Sequence, residues 1–329
     1  MPAPRSSRTR PYLPTEPGKR QQPIRRPISP FLTTRQTDKG PHAPSAPIRG
    51  KEFKRPPRST YCVSCHRDNG PVYVVQNGQL RAQDWEFDAW GGAFGTNILY
   101  AADDAVPVSV AALSGMALDA VGIVHERGNL EFNGSDAVIL NWSVIGDPQR
   151  NPGYTKAQAI ADMKAHFGVT TVVLIEGYVP NDLTKGHVDG IARFIDPTTV
   201  VVGQCTMASL CQPGDTEAAV YDNAAAAIAT AGFTVIREPF EGRASYDGGP
   251  EFDIDYMNWL VGNGFVIAVG FENVVTNAAA KTRLEGYYPG RTVHVIDMLA
   301  SWDAGGGAHC HTNDQPAAST ATGYSPWSP

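Results

Sequence analysis

Residues 216–237 read Thr-Glu-Ala-Ala-Val-Tyr-Asp-Asn-Ala-Ala-Ala-Ala-Ile-Ala-Thr-Ala-Gly-Phe-Thr-Val-Ile-Arg, and this stretch decides the fold class. Thr216–Ala231 is a long helix, Gly232 stops it, and Phe233–Arg237 is a β-branched strand. A strand at Thr198–Val202 leads into the helix. The same order recurs on either side. Ala137–Leu140, a helix over Thr155–His166 and a strand over Val169–Ile175 precede it, with Thr155 as N-cap and Gly168 as the residue after the helix. Phe265–Val269, a helix over Ala278–Glu285, Gly290 and a strand over Thr292–Ile296 follow. Strands at Val72–Val75, Asp84–Trp90, Val121–Val124, Val188–Phe194 and Tyr256–Leu260 and a helix over Val106–Leu118 fill the remainder. Gly168, Gly232 and Gly290 are spaced 64 and 58 residues apart. That regularity predicts repeated supersecondary units of an α/β fold, arranged around an axis or in a stack.

Composition sets the limits. The chain of 329 residues is 42% hydrophobic and 18% charged, enough for one large or two ordinary domains with a substantial core. No apolar run reaches about 18 residues, which argues against a membrane span. The basic N-terminus has no apolar segment of signal-peptide type. The net charge of −6 joins two unlike parts. Residues 1–59 hold 14 Lys/Arg, 3 Asp/Glu and 13 of the 26 prolines, a net of +11, while the remainder holds 13 basic and 30 acidic residues, a net of −17. These counts predict a disordered basic segment at 1–59, a folded domain at 60–317 and a tail at 318–329. An acidic body suits a small cationic substrate and argues against nucleic acid as its partner.

Five cysteines at irregular spacing make no disulfide framework, so a reducing, cytoplasmic setting is expected. Cys62-Val-Ser-Cys65-His66 matches the short haem-attachment pattern. It has no second Cys-x-x-Cys to complete a zinc site, since Cys205 and Cys211 are six apart. A haem or metal role is the remote alternative, and no cofactor or metal is expected.

Chemistry collects in polar clusters at strand ends. Gly305-Gly306-Gly307-Ala308-His309-Cys310 places a thiol after a glycine turn, where the backbone is free to approach a ligand and a protonated imidazole would favour the thiolate. Gly186-His187-Val188-Asp189-Gly190 opens the Val188–Phe194 strand, whose period of two would aim His187 and Asp189 into one space. Arg67-Asp68 and Glu126-Arg127, each beside a glycine, read most simply as surface ion pairs. Taken together with Cys310, however, His187, Asp68, Glu126 and Asp189 would make a negative pocket with a base and a nucleophile, suited to a planar guanidinium.

The set Arg67-Asp68-x-Gly70-Pro71, Trp85-x-Phe87-x-x-Trp90-Gly91-Gly92, Glu126-x-Gly128-Asn129, Gly186-His187-x-Asp189 and Gly305-Gly306-Gly307-x-His309-Cys310 resembles the family of agmatine deiminases and bacterial peptidylarginine deiminases, in the guanidine-modifying (pentein) superfamily. The resemblance covers about residues 66–316. It implies a pseudo-five-fold α/β propeller of ββαβ modules around a central pocket, without cofactor or metal. It also implies Cys310 as nucleophile, His187 as proton shuttle and Glu126 as its support, with Asp68 and Asp189 clamping the guanidinium and Asn258 and Trp90 as further pocket contacts. The implied activity is hydrolysis of agmatine to N-carbamoylputrescine and ammonia, in putrescine and polyamine supply, by a protein whose relatives are commonly homo-oligomers. Deimination of peptidyl-arginine uses the same residues and is one alternative. The other is an inactive remnant, because the residues before Arg67 do not resemble the module the family carries there. Asp88 and Lys185 also depart from the family pattern.

Overall fold

The computed structural model describes residues 66–316 apart from 94, 96–98 and 181. The predicted disordered segment 1–59, Cys62 and Cys65 of the haem-like pattern and the tail 318–329 lie outside the described residues. Four three-stranded sheets follow one another along the chain: β1 (Val72–Gln76), β2 (Gln79–Glu86) and β3 (Ala117–Val124); β4 (Glu131–Phe132), β5 (Ala137–Asn141) and β6 (Thr171–Ile175); β7 (Ala192–Asp196), β8 (Thr199–Gln204) and β9 (Thr234–Pro239). After a small hairpin of β10 (Arg243–Ala244) and β11 (Phe252–Asp253) comes the last, β12 (Leu260–Gly262), β13 (Phe265–Gly270) and β14 (Thr292–Asp297). In each, the first two strands are antiparallel, a helical segment follows, and the third strand lies parallel to the second. This is the repeat the glycine spacing predicts, in the ββαβ form the resemblance implies, four times over among the described residues.

The middle strands β5, β8 and β13 are largely apolar because both their faces are covered, whereas β2, the middle strand of the first sheet, is mostly polar. Ile139, Val200, Val201, Val202, Val266 and Ala268 are fully buried, each Val or Ile worth about 1.5–3 kcal/mol. The helix Thr216–Thr230 packs on β6, β8 and β9 through Ala218, Tyr221, Ala224 and Ile228, a spacing that puts them on one face. Ala225 and Ala227 add partly buried contacts to the same core, and the exposed alanines supply propensity. The helix Lys156–Phe167 begins on a capping box between Thr155 and Gln158 and ends at Gly168. Gly168 sits at φ +68°, a left-handed conformation that favours glycine. Among the described residues no helix is long and apolar enough to cross a membrane.

Five expectations change. The helix predicted over Val106–Leu118 ends at Ser114, where Gly115 at φ +68° reverses the chain and Leu118 joins β3. The Asp84–Trp90 strand is β2, Gln79–Glu86; it stops before Ala89 and Trp90, both near φ +60°. Val188–Gly190 is a 3-10 turn rather than the start of a strand, because Gly186 at φ +95° turns the backbone before it. Of Tyr256–Leu260 only Leu260 enters a ladder. Finally, Cys205 and Cys211 form a disulfide: the loop after β8 doubles back and brings their Cα atoms to 5.3 Å. The cysteine argument for a reducing compartment therefore loses its basis.

Candidate active site

Each module delivers a polar residue just ahead of its first strand: Asp68 before β1, Glu126 before β4, His187 and Asp189 before β7, Asn258 before β12. Equivalent positions in repeated units fall at one end of the sheets. β14 and the helix Leu299–Asp303 return the chain there, so the loop carrying Cys310 closes over the same end. Hydrogen bonds tie the modules together in sequence. Gly128 N–H donates to Asp68 at 3.1 Å, Arg193 to Glu131 at 3.1 Å and to Met257 O at 3.0 Å, and Arg67 to His309 O at 2.6 Å.

Asn258 organises the thiol. Its Oδ1 accepts from the backbone N–H groups of Gly307, His309 and Cys310, all at 3.1 Å, while its Nδ2 donates to Cys310 Sγ at 3.1 Å. Of the three glycines only Gly305 needs an unusual φ, +121°. Gly306 is required for room, since a Cβ there would lie 2.5 Å from Cys310 Cβ and 2.9 Å from Sγ. The glycine run thus clears space beside the sulfur as well as turning the chain.

The carboxylates surround that sulfur unequally. Asp189 Oδ2 lies 3.5 Å from Sγ and accepts from His309 Nδ1 at 2.7 Å. Burial opposes its charge, but the His309 hydrogen bond and the neighbouring cations outweigh it and hold Asp189 below the usual carboxylate range. Burial, then Arg193 and Arg67, keep His309 neutral. Asp68 is held by Gly128 N–H and by Trp90 Nε1 at 3.0 Å. Burial raises its pKa, and Asp189 and Glu126 add to this against the charge of His187. Burial also pushes the Cys310 thiol well up, and Asp189 and Asp68 push it further.

His187 stands between two carboxylates, with Nδ1 3.5 Å from Asp68 Oδ1 and Nε2 3.6 Å from Glu126 Oε2. These are ion-pair separations, and neither ring nitrogen is within hydrogen-bonding distance of a partner. Burial disfavours the imidazolium, yet Asp68 and then Glu126 prevail and raise its pKa to about 9. Glu126 in turn is fully buried; Arg150 Nε donates to its Oε1 at 2.9 Å, and Arg150 with His187 overcomes burial to lower its pKa to about 2. Arg150 also reaches Asp147 at 3.1 Å and Thr184 O at 3.0 Å, while Thr184 Oγ1 accepts from His187 N–H. Gly128 fits between these groups: a Cβ there would fall 2.4 Å from His187 Nδ1.

Asp68, Trp90, Glu126, His187, Asp189, Asn258 and Cys310 are therefore brought together, but by other means than expected. His187 and Asp189 converge through a 3-10 turn, not a pleat. Trp90 contacts Asp68, and Asn258 contacts the sulfur and its loop. Four buried cations were missed, Arg193 in the strand β7 among them. Arg150 lies in a Pro-Gln-Arg-Asn-Pro-Gly stretch that reads as a turn. Arg67 and Arg127, read as surface partners of their sequence neighbours, instead share Asp314: Arg67 Nη2 at 2.7 Å and Arg127 Nη2 at 2.9 Å. An acid four residues after Cys310 was the available signal.

The family model of Porphyromonas-type peptidyl-arginine deiminases matches residues 64–316. The agmatine deiminase of Pseudomonas putida is 29% identical over 275 residues, 76% of this chain and 74% of the relative. That of Stutzerimonas stutzeri is 27% identical over 283 residues, again 76% and 74%. Among solved structures, the agmatine deiminase of Enterococcus faecalis has a TM-score of 0.68 at 21% identity, covering 76% of this chain and 74% of its own. The C. jejuni agmatine deiminase with substrate bound has a TM-score of 0.66 at 23% identity, covering 75% and 71%. These two structures share the fold.

Proposed function

The chain belongs to the Porphyromonas-type peptidyl-arginine deiminase family, and from that membership we propose that it is an agmatine deiminase, a hydrolase converting the guanidinium of agmatine to N-carbamoylputrescine and ammonia. The observation that carries this is the convergence of one thiol, one doubly flanked imidazole and three buried carboxylates at a single end of the modules. The catalytic domain is residues 60–317, a span supported by the family match over 64–316.

A guanidinium entering this space meets Asp68 and Asp189, which accept its N–H groups and orient its plane. Its positive charge offsets the two carboxylates that oppose ionisation of Cys310, so substrate binding itself favours the thiolate. Sγ attacks the central carbon, forming a C–S bond while the C=N π electrons move to nitrogen. His187, protonated below about pH 9, gives its proton to one nitrogen, and the C–N bond breaks to release ammonia. Neutral His187 then takes a proton from water, the hydroxide adds to the amidino-thioether carbon, the C–S bond breaks to return the thiolate, and the hydroxyl proton is lost to solvent as the ureido C=O forms. Glu126, fixed by Arg150, holds the imidazolium in place. Asn258 orients Sγ, Trp90 orients Asp68, and both remain further substrate contacts in this reading.

N-carbamoylputrescine is one hydrolysis away from putrescine, which supports a role in putrescine supply. A cytoplasmic location remains part of the proposal, and the Cys205–Cys211 bond is the observation that bears against it. Ammonia release from agmatine, compared with citrulline formation on an arginine peptide, tests the substrate. Preference for agmatine supports the reading, and preference for the peptide replaces it with protein-arginine deimination. Turnover of neither substrate by folded protein points to a non-catalytic chain.

A further inference from the structure

Arg193 lies on β7, four residues after Asp189, and its side chain is only 4% exposed. It reaches out of its own sheet and grips the chain on both sides of Asn258. Nη1 donates to Met257 O at 3.0 Å and to Trp259 O at 2.6 Å, and the guanidinium carbon lies 5.1 Å from the centre of the Trp259 ring. Nε donates to Glu131 Oε2 at 3.1 Å, while the other oxygen of Glu131 accepts from Phe194 N–H at 2.8 Å. Burial opposes the charge on Arg193, but Glu131 outweighs it. A planar fork of donors can serve acceptors in several fixed directions at once, which a single ammonium cannot.

The residue gripped in this way is the one that holds the thiol. Asn258 Oδ1 accepts from Gly307, His309 and Cys310 N–H, and Nδ2 donates to Sγ. A side chain orients an atom only as well as its own backbone is fixed. The β12 ladder begins at Leu260, so strand pairing with β13 does not reach Asn258. His309 N–H donates to Asn258 O at 3.2 Å, but that bond comes from the loop being placed. The carbonyls before and after Asn258 are both held by Arg193. Next to them the Trp259 indole N–H donates to Tyr288 OH at 2.8 Å, and that hydroxyl donates to Phe194 O at 3.1 Å, a second point at which β7 holds the segment.

We propose that Arg193 is a positioning residue for the nucleophile: its fork, steadied by Glu131, clamps the backbone on either side of Asn258 and through it sets where Cys310 Sγ stands beside a bound guanidinium. The proposal rests on the deiminase reading for the role of Cys310, and on no particular guanidine substrate. The charge of Arg193 also bears on Asp189 and His309, so the test must separate the charge from the grip.

Labelling of the full-length chain with 2-chloroacetamidine, a small planar amidinium carrying a displaceable chloride, tests this. The cation seats on Asp68 and Asp189, and Sγ then displaces chloride to form a C–S bond, read as mass added to the peptide that contains Cys310. The concentration dependence gives a half-saturation value for seating and a limiting rate for attack. Arg193→Lys keeps the charge and loses the fork. It is expected to lower the limiting rate at least tenfold, since small displacements of reacting atoms are costly, and to leave half-saturation within threefold. In an Asn258→Ala background the same change should cost less than twofold, because two changes acting through one group do not add. Should Arg193→Lys fail to fold, Glu131→Gln takes its place, with a fall of at least threefold expected from a loosened Nε. An unchanged limiting rate overturns the proposal, and so does a loss of equal size in both backgrounds. A parent chain left unlabelled at Cys310 removes the nucleophile itself, and with it both the deiminase reading and this proposal.

Discussion

The carboxylate-lined catalytic pocket and a cavity of about 470 Å³, lined by Arg67, Arg127 and Arg193 and bordered by His309, are built from residues adjacent in sequence, two of the pairs opposite in charge. Asp68 faces the catalytic pocket and Arg67 the cavity; Glu126 faces the pocket and Arg127 the cavity; Cys310 faces the pocket and His309 borders the cavity. One residue along the chain is enough to cross the divide because the backbone at these points is the partition itself. The contrast shows how a buried negative pocket is tolerated. Its carboxylates are backed by a layer of guanidinium groups, and Arg67 and Arg193 both act on the groups around Asp189. Charges of each sign stabilise the other across a single layer of backbone.

The largest break in this arrangement should come at the sulfur. Cys310→Ala is expected to lower agmatine turnover by about 10⁴-fold or more with the fold intact by circular dichroism. Retained turnover would remove Cys310 from the mechanism. Next comes the partition, where Gly128→Ala would push a methyl group into His187 and Asp68. A displacement near 1 Å at reacting groups costs about 100-fold, so kcat should fall by roughly that factor while Tm changes little. A kcat close to the parent value would show that the His187–Asp68 spacing is loose.

On the cationic side, Asp314→Asn leaves Arg67 and Arg127 without their common carboxylate. Asp314 is half exposed, so solvent screens part of the loss. The expected destabilisation is about 1–2 kcal/mol, read from denaturant midpoints at unchanged m-value. An unchanged midpoint would mean that the cation layer does not depend on this pair. A further test lies in pH dependence. His187 binds its proton more tightly when folded, about 9 against roughly 6.5 unfolded. Its contribution is complete below pH 6.5 and is lost as pH rises through 9, so stability should decline across that window. In His187→Gln the decline should flatten, as measured by Tm at half-unit pH steps. An equal decline in both proteins would assign the effect to other groups.

The repeat was legible because glycine stops and apolar strands obey short-range rules that hold in any context, as at Thr155, Gly168 and Gly232. The site residues were legible as residue types in order. Their geometry was not: the turn at Val188–Gly190 and the break before Trp90 depend on positive-φ backbone that the composition of those segments does not announce. The buried cations were invisible for a different reason. Arg127 pairs with a residue 187 positions away, and Arg67 with one 247 away. A local reading assigns each to its neighbour in sequence. The Cys205–Cys211 bond was passed over because spacing alone does not reveal that the loop after β8 turns back.

Because every module leads with its reactive residue, the hairpin turn joining β1 to β2 points the other way. Asn77 and Gly78, at φ +53° and +76°, form that turn and are exposed. A fluorophore or an affinity handle grafted there would sit a full strand length from the chemistry. The same polarity that gathers the reacting groups thus leaves a place to tether the protein to a surface while its entrance stays open.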